Sequence, residues 1–268
     1  MFKPILITAA IVLVLSGLTA CDSSQQADSG KPEAQQQNSQ ALPALKIQER
    51  PAEYALPFCE NKNCIEIDIQ SLQTQDHWLN DWISRNQANV IQQQIGLKQN
   101  LNLQQAIDAY VKKSDQWQDE YSAHRAYELH MRTRIASQRH QYVLLQIALD
   151  SKQEERTVKE RHYFFVADRQ AQKNLAILDV LQPQQQTLVN EWVQQHYQAW
   201  LKKQTPEIQQ QAPKKLYWGQ TDWFFDSEGI GLHYRAAQIA PDASQLDIYL
   251  SAEQSKQVLK PEIYQQMF

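Results

Sequence analysis

The chain has 268 residues, with 26 basic and 30 acidic side chains and a formal net charge of −4. A mildly acidic, Gln-rich composition leaves no basic footprint and speaks against nucleic acid as a partner. With 6 glycines, and the pair Gly229-Ile230-Gly231 lacking a third glycine and a following helix, nucleotide binding is disfavoured as well.

The first twenty-one residues organise the chain. Lys3 supplies a positive start, Ile5 to Leu15 is almost unbroken apolar sequence, and Ser16 and Gly17 follow. That is a secretory signal, too short to span a bilayer stably. Its end, Leu18-Thr19-Ala20-Cys21, closely resembles the bacterial lipobox, in which the cysteine is acylated and becomes the mature N-terminus. The expectation is a signal peptide over 1–20 and a lipid on Cys21. The mature chain would then be a membrane-anchored lipoprotein facing the periplasm or the cell exterior. Removing residues 1–20 removes one charge, Lys3, so the net charge moves from −4 to −5. Asp22 resembles the inner-membrane retention signal of enterobacterial lipoprotein sorting. From Asp22 to about residue 45 the sequence is Gln, Ser, Ala, Asp and Pro, too polar to offset the entropy of ordering. It reads as a disordered tether of about 25–30 Å root-mean-square reach.

With Cys21 assigned to lipid, Cys59 and Cys64 remain, separated by Glu60-Asn61-Lys62-Asn63. In an oxidising compartment this turn chemistry reads as a disulfide at the tip of a hairpin between strands near Tyr54–Phe58 and Ile65–Ile69. A metal pair is the alternative, but no further cysteine is available to complete a thiolate site. Two helices follow. The first carries Trp78, Leu79, Trp82 and Ile83 and ends at Gly96; the second is capped by Asn102 and carries Leu103, Ala106, Ile107, Tyr110 and Val111 at three- and four-residue steps. The period then changes to two over Ala123–Ile135, followed by more continuously apolar runs at Tyr142–Leu149 and His162–Ala167. These predict an antiparallel meander whose later strands are covered on both faces.

Pro183 fits the first position of a helix bearing Leu188, Val189, Trp192, Val193, His196, Tyr197 and Trp200. A Pro- and Gln-rich connector, Thr205–Lys215, leads to strands at Trp223–Phe225, Gly231–Arg235 and Leu246–Leu250. A short last helix, with Ser251 and Gln254 as its capping box, is expected to stop at Pro261. The fold class is α+β, with antiparallel sheet meanders packed against several amphipathic helices. The folded part divides into an N-terminal half at 46–150 and a C-terminal domain at 151–268.

Within that C-terminal part, Phe224-Phe225, Gly231-Leu232-His233-Tyr234, Ile239-Ala240-Pro241 and Leu246–Leu250 resemble the extracellular domain of RsiV-type anti-sigma factors, catalogued as domain of unknown function 3298. Leu175–Leu181 is similar to the run that this family places before its long helix. The family's Tyr-x-Gly-Gly-Ala-His segment is missing: Asp150–Arg161 is charged and contains no glycine. RsiV proteins bind lysozyme, and the resemblance implies that ligand as a candidate. Sigma-factor regulation is not carried over, because this chain lacks the family's transmembrane helix and cytoplasmic segment.

No catalytic motif stands out. The best metal constellation is His130 with Glu128 or His162, on strand faces that also carry His124 and His140, but no zinc-type spacing occurs. These read as surface histidines, with His196 a core residue, and His77 and His233 packing or surface groups. No Gly-x-Ser-x-Gly elbow is present. No catalytic residue, metal or cofactor is assigned. The aromatic cluster Tyr217, Trp218, Trp223 and Tyr234 is either core or a binding platform for carbohydrate or protein. The expected function is that of a non-enzymatic envelope module, engaging a cell-wall component such as peptidoglycan or a muralytic protein such as lysozyme. The alternative is an envelope hydrolase acting on peptidoglycan or its glycans.

Overall fold

The computed structural model describes Leu42 and residues 44–268, apart from positions 61, 62, 122, 155 and 242. The expected signal peptide, the expected lipidation site Cys21 and nearly all of the expected tether lie outside the described residues. Leu45 is already buried in the core, and its carbonyl accepts from Gln75 N–H at 3.1 Å.

Nine strands are described. Six form one sheet in sequence order: β1 (Gln48–Pro51), β2 (Glu66–Gln73), β3 (Glu128–Arg139), β4 (Tyr142–Gln153), β5 (Arg156–Asp168) and β6 (Lys173–Leu175). A smaller antiparallel sheet holds β7 (Asp222–Phe225), β8 (Gly229–Tyr234) and β9 (Leu246–Ser251). The architecture is the expected α+β, with the meander at β3–β6. One pairing departs from it: β2 and β3 are parallel. Between them lie the two helices α1 (His77–Gln94) and α2 (Leu103–Glu120), and this long crossover returns the chain to the end from which it started.

Asp76 caps α1, its Oδ1 accepting Leu79 N–H at 3.1 Å, and Gly96 follows its end with φ +69°. Asn102 and Gln105 form a reciprocal capping box for α2. Both helices turn their apolar stripes onto one face of the large sheet. Leu79, Ile83, Val90, Ile107 and Tyr110 meet Leu129, Met131, Leu145 and Ile147 in the first core. At its centre Gln87 donates to Thr133 Oγ1 at 2.8 Å and accepts from Ser71 Oγ at 3.2 Å, so a buried amide is satisfied by two hydroxyls.

The opposite face of the sheet is covered at one end only. There Tyr142, Leu144, Val166 and Leu175 join the second core with Val193, Tyr197, Trp223, Phe225, Leu232 and Leu250. The helices of that core are α3 (Ile177–Val180), α4 (Gln186–Leu201), α5 (Pro206–Gln211), α6 (Ala252–Val258) and α7 (Pro261–Met267). Strand β4 supplies alternate residues to both cores, as its apolar run predicts. The division expected between residues 150 and 151 falls inside β4, and sheet pairing continues across it to Leu175.

Cys59 and Cys64 form the expected disulfide. It lies in the connection from β1 to β2, because the first strand of that hairpin is Gln48–Pro51 and Tyr54–Phe58 is not a strand. Tyr54 is held instead by its hydroxyl, which donates to Ile67 O at 2.7 Å. The connector at Thr205–Lys215 contains α5, capped by Thr205 with Pro206 at its first position. Pro261 starts α7 instead of ending the chain's last helix.

Candidate functional site

The four aromatic residues singled out in the sequence occupy different environments. Trp218, Trp223 and Tyr234 are buried, while Tyr217 is 68% exposed. Trp223 donates its indole N–H to Leu175 O at 2.8 Å, tying β7 to the end of the large sheet. The Tyr234 hydroxyl is buried without a hydrogen-bond partner among the described residues, and burial raises its pKa above the ordinary phenol value.

Helix α4 sets the position of Tyr217. Gln194 grips the backbone of Leu216 on both sides, accepting its N–H at 3.0 Å and donating to its carbonyl at 2.8 Å. One turn on, Tyr197 donates to Pro213 O at 2.6 Å and Gln198 to Lys214 O at 3.1 Å. The segment is therefore fastened along one helix face, and Tyr217 projects from its end. The ring lies close to Gly219, where a Cβ would sit 3.0 Å from the Tyr217 hydroxyl and 3.2 Å from Leu178 Cδ1. Two clefts flank it. One, of about 390 Å³, is lined by Leu178, Gln186, Thr187 and Asn190; the other, of about 380 Å³, by Lys215, Gln220, Thr221, Tyr234 and Gln238. Amide and hydroxyl groups on either side of an aromatic face suit a ligand with apolar ring faces and many hydroxyls.

The histidines do not converge. His124 is off the strand, its ring stacked on Trp117 with centroids 3.5 Å apart and Nδ1 2.6 Å from Trp117 O. His130 lies 3.7 Å from Glu66, opposite Asp68 on one neighbouring strand and Asp150 on the other. His162 pairs with Ala148 instead and is kept from His130 by the register. Among the described residues no three His, Cys, Asp or Glu side chains are grouped as metal ligands. His196, expected in the core, is exposed: it lies on α4 between Val193 and Tyr197, turned away from the face they bury. His233 is buried, with Nδ1 2.6 Å from Asp247 Oδ1 and Nε2 without a partner among the described residues.

A second feature corresponds to no motif in the sequence. On the uncovered end of the large sheet, Gln70, Arg132, Ala148 and His162 stand in one cross-strand row, with Arg134 and Gln146 in the next. Together with Glu49 they line a cavity of about 400 Å³. The alternation Arg132-Thr133-Arg134 marks a strand face, but only the register shows what stands beside it.

No family model and no curated protein matches the sequence. Solved structures match the fold, two of them DUF3298 proteins. A DUF3298 family protein from Pseudomonas aeruginosa is 18% identical with a TM-score of 0.61, over 83% of this chain and 97% of that one. A DUF3298 family member from Bacteroides fragilis is 14% identical with a TM-score of 0.57, over 84% and 97%. The family-like motifs map onto structural positions: Phe225 and Leu232 are fully buried, and Ile239 is nearly so. The chain thus has the fold of the solved DUF3298 proteins, the domain of unknown function that its C-terminal motifs resemble.

Proposed function

We propose that the protein is a non-enzymatic, lipid-anchored binding module of the bacterial cell envelope, and that its ligand is a cell-wall component. The observation that carries this reading is Tyr217, a largely exposed ring held on a loop fastened to α4 and flanked by two clefts, a more apolar one beside Leu178, Leu216 and Trp218 and a more polar one beside Gln220, Thr221 and Gln238. A tyrosine offers rigid apolar contact at low entropic cost, and its neighbours Gln186, Asn190, Gln220 and Gln238 offer both donors and acceptors. A muralytic protein such as lysozyme is the other ligand of this reading, supported by the family resemblance. An envelope hydrolase gains no support from His130 and His162, which sit on separate cross-strand rows.

Calorimetric titration with soluble peptidoglycan fragments and, separately, with lysozyme tests the reading. Fragment binding is expected, and Tyr217→Ala should weaken it by about tenfold or more, as loss of a binding anchor does. The melting temperature should stay unchanged, because the ring is not part of the core. Silence with both ligands, or fragment binding indifferent to Tyr217→Ala, would overturn the assignment of this site.

A further inference from the structure

The uncovered end of the large sheet carries the second candidate, independent of Tyr217. The covering layer reaches Tyr142, Leu144 and Val166, with Phe164 partly buried at its margin. Beyond that margin the sheet presents Gln70, Arg132, Ala148 and His162 side by side on four adjacent strands. Arg132 and Arg134, two residues apart on β3, point to the same face. Among the described residues neither arginine forms an ion pair. Arg134 is nonetheless oriented, its Nε donating to Gln146 Oε1 at 2.6 Å, which leaves its terminal nitrogens free to act. Glu49 lines the same cavity and is the one carboxylate among its lining residues.

Two guanidinium groups against one carboxylate leave the cavity about one positive charge in excess. Burial, then the neighbouring His233, lowers the His162 pKa, and Arg134 lowers it further against the opposing pull of Asp247 and Glu160. The imidazole therefore stays neutral at pH 7 and adds no second excess charge. With Asp247 and Glu160 beyond the lining but near enough to act on His162, no further positive charge is left over, and a monoanion suits the balance better than a dianion. The planar, forked guanidinium fits a carboxylate edge on. The volume, about 400 Å³, exceeds what a carboxylate alone requires and falls near the lower end of small-molecule sites.

We infer that the cavity formed by Gln70, Arg132, Arg134, Gln146 and His162 binds the carboxylate of a small organic monoanion, with the two arginines as its anchors. Gln70 and Gln146 are placed to contact the remaining polar groups of the ligand. Two sources of this chemistry exist in a cell envelope, an acidic amino sugar and a peptide C-terminus, and one titration separates them.

The test is calorimetric or NMR titration of the intact mature protein with N-acetylmuramate and with N-acetyl-D-alanine. N-acetylglucosamine serves as the neutral control and inorganic sulfate as the dianionic one. Saturable binding of at least one carboxylate is expected, and whichever binds tighter identifies the source. Arg132→Gln or Arg134→Gln should each weaken it by about tenfold or more, the usual effect of losing a charge-assisted hydrogen bond. The double variant should abolish it. Arg134→Lys should rescue part of the loss, retaining the charge without the fork. Both arginines are exposed, so the melting temperature reports whether any variant has merely unfolded. Tyr217→Ala should leave this binding unchanged, which keeps the inference distinct from the glycan reading. Failure of both carboxylates to bind, tighter binding of sulfate, or binding indifferent to the double variant would each overturn it.

Discussion

A methyl group added at Gly229 would fall 2.0 Å from the carbonyl oxygen of Leu250. That oxygen belongs to the backbone of β9, and it cannot step aside without shifting the strand. Gly229 also closes the turn before β8: Asp226 Oδ1 accepts the N–H groups of Glu228 and Gly229, and Asp226 N–H donates to Gly229 O at 3.1 Å. Gly229→Ala is expected to destabilise by about 1–3 kcal/mol or more, the usual range for overpacking, as read from the urea midpoint. His162 provides a second residue-scale expectation. Its folded-state pKa is lowered, chiefly by burial, so the folded protein binds that proton less tightly than the unfolded chain does. Its contribution to stability is complete above the unfolded value of about 6.5 and is lost as pH falls through the lower folded value. Stability should fall between pH 7 and pH 5, and His162→Gln should flatten that slope; an unchanged slope would count against it. Such residue-level outcomes were only partly legible in the sequence. Tyr217 and Trp218 are adjacent aromatic residues in a loop without periodicity, and their opposite fates depend on the glutamines of α4, which no pattern connects to them. His196 shares the spacing of the apolar stripe, yet it falls just outside the arc that α4 buries.

At the scale of elements, helices with a stripe and a cap were legible, and short or context-dependent ones were not. Asn102 with Gln105, and Ser251 with Gln254, mark helix starts that the structure retains. Helix α5 has six residues and no stripe, although Thr205-Pro206 was a usable start signal. Pro261 reads equally well as a stop or as a first helical residue, and only the packing of Ile263 and Met267 in the second core decides between them. The parallel pairing of β2 with β3 had no local signal, since it arises from the two-helix crossover. What fastens that crossover can be tested. Asp76 caps α1 through one carboxylate oxygen, while its other accepts Arg169 Nε at 2.9 Å, and the Arg169 side chain is 1% exposed. Asp76→Ala removes the cap and one partner of a buried cation together, and should cost about 2–4 kcal/mol. Asp76→Asn keeps a good cap, so the difference between the two variants in chemical denaturation isolates the cap. Equal stability of Asp76→Ala and the parent would show that the pair carries nothing.

At the scale of the molecule, the question is whether the two cores unfold together. Composition and motif order divide the folded chain at residue 150, and two modules so divided would melt separately. The sheet argues otherwise. Val143, Leu145 and Ile147 of β4 belong to the core under α1 and α2, while Tyr142 and Leu144 of the same strand belong to the core of the C-terminal layer. Opening either core exposes one face of a strand whose apolar residues have no polar alternation to fall back on. Further links run across the sheet margin, where Phe164 N–H donates to Asp222 at 3.2 Å and Trp223 reaches Leu175 O. Leu145 and Leu232 are both fully buried, one in each core. Leu145→Ala and Leu232→Ala should each cost about 2–5 kcal/mol. Each should also displace one common transition, with circular dichroism and tryptophan fluorescence giving the same midpoint. Two transitions, with Leu232→Ala moving only one of them, would mean that β4 is shared in geometry but not in energy. The division at residue 150 would then describe two folding units that happen to meet on one strand.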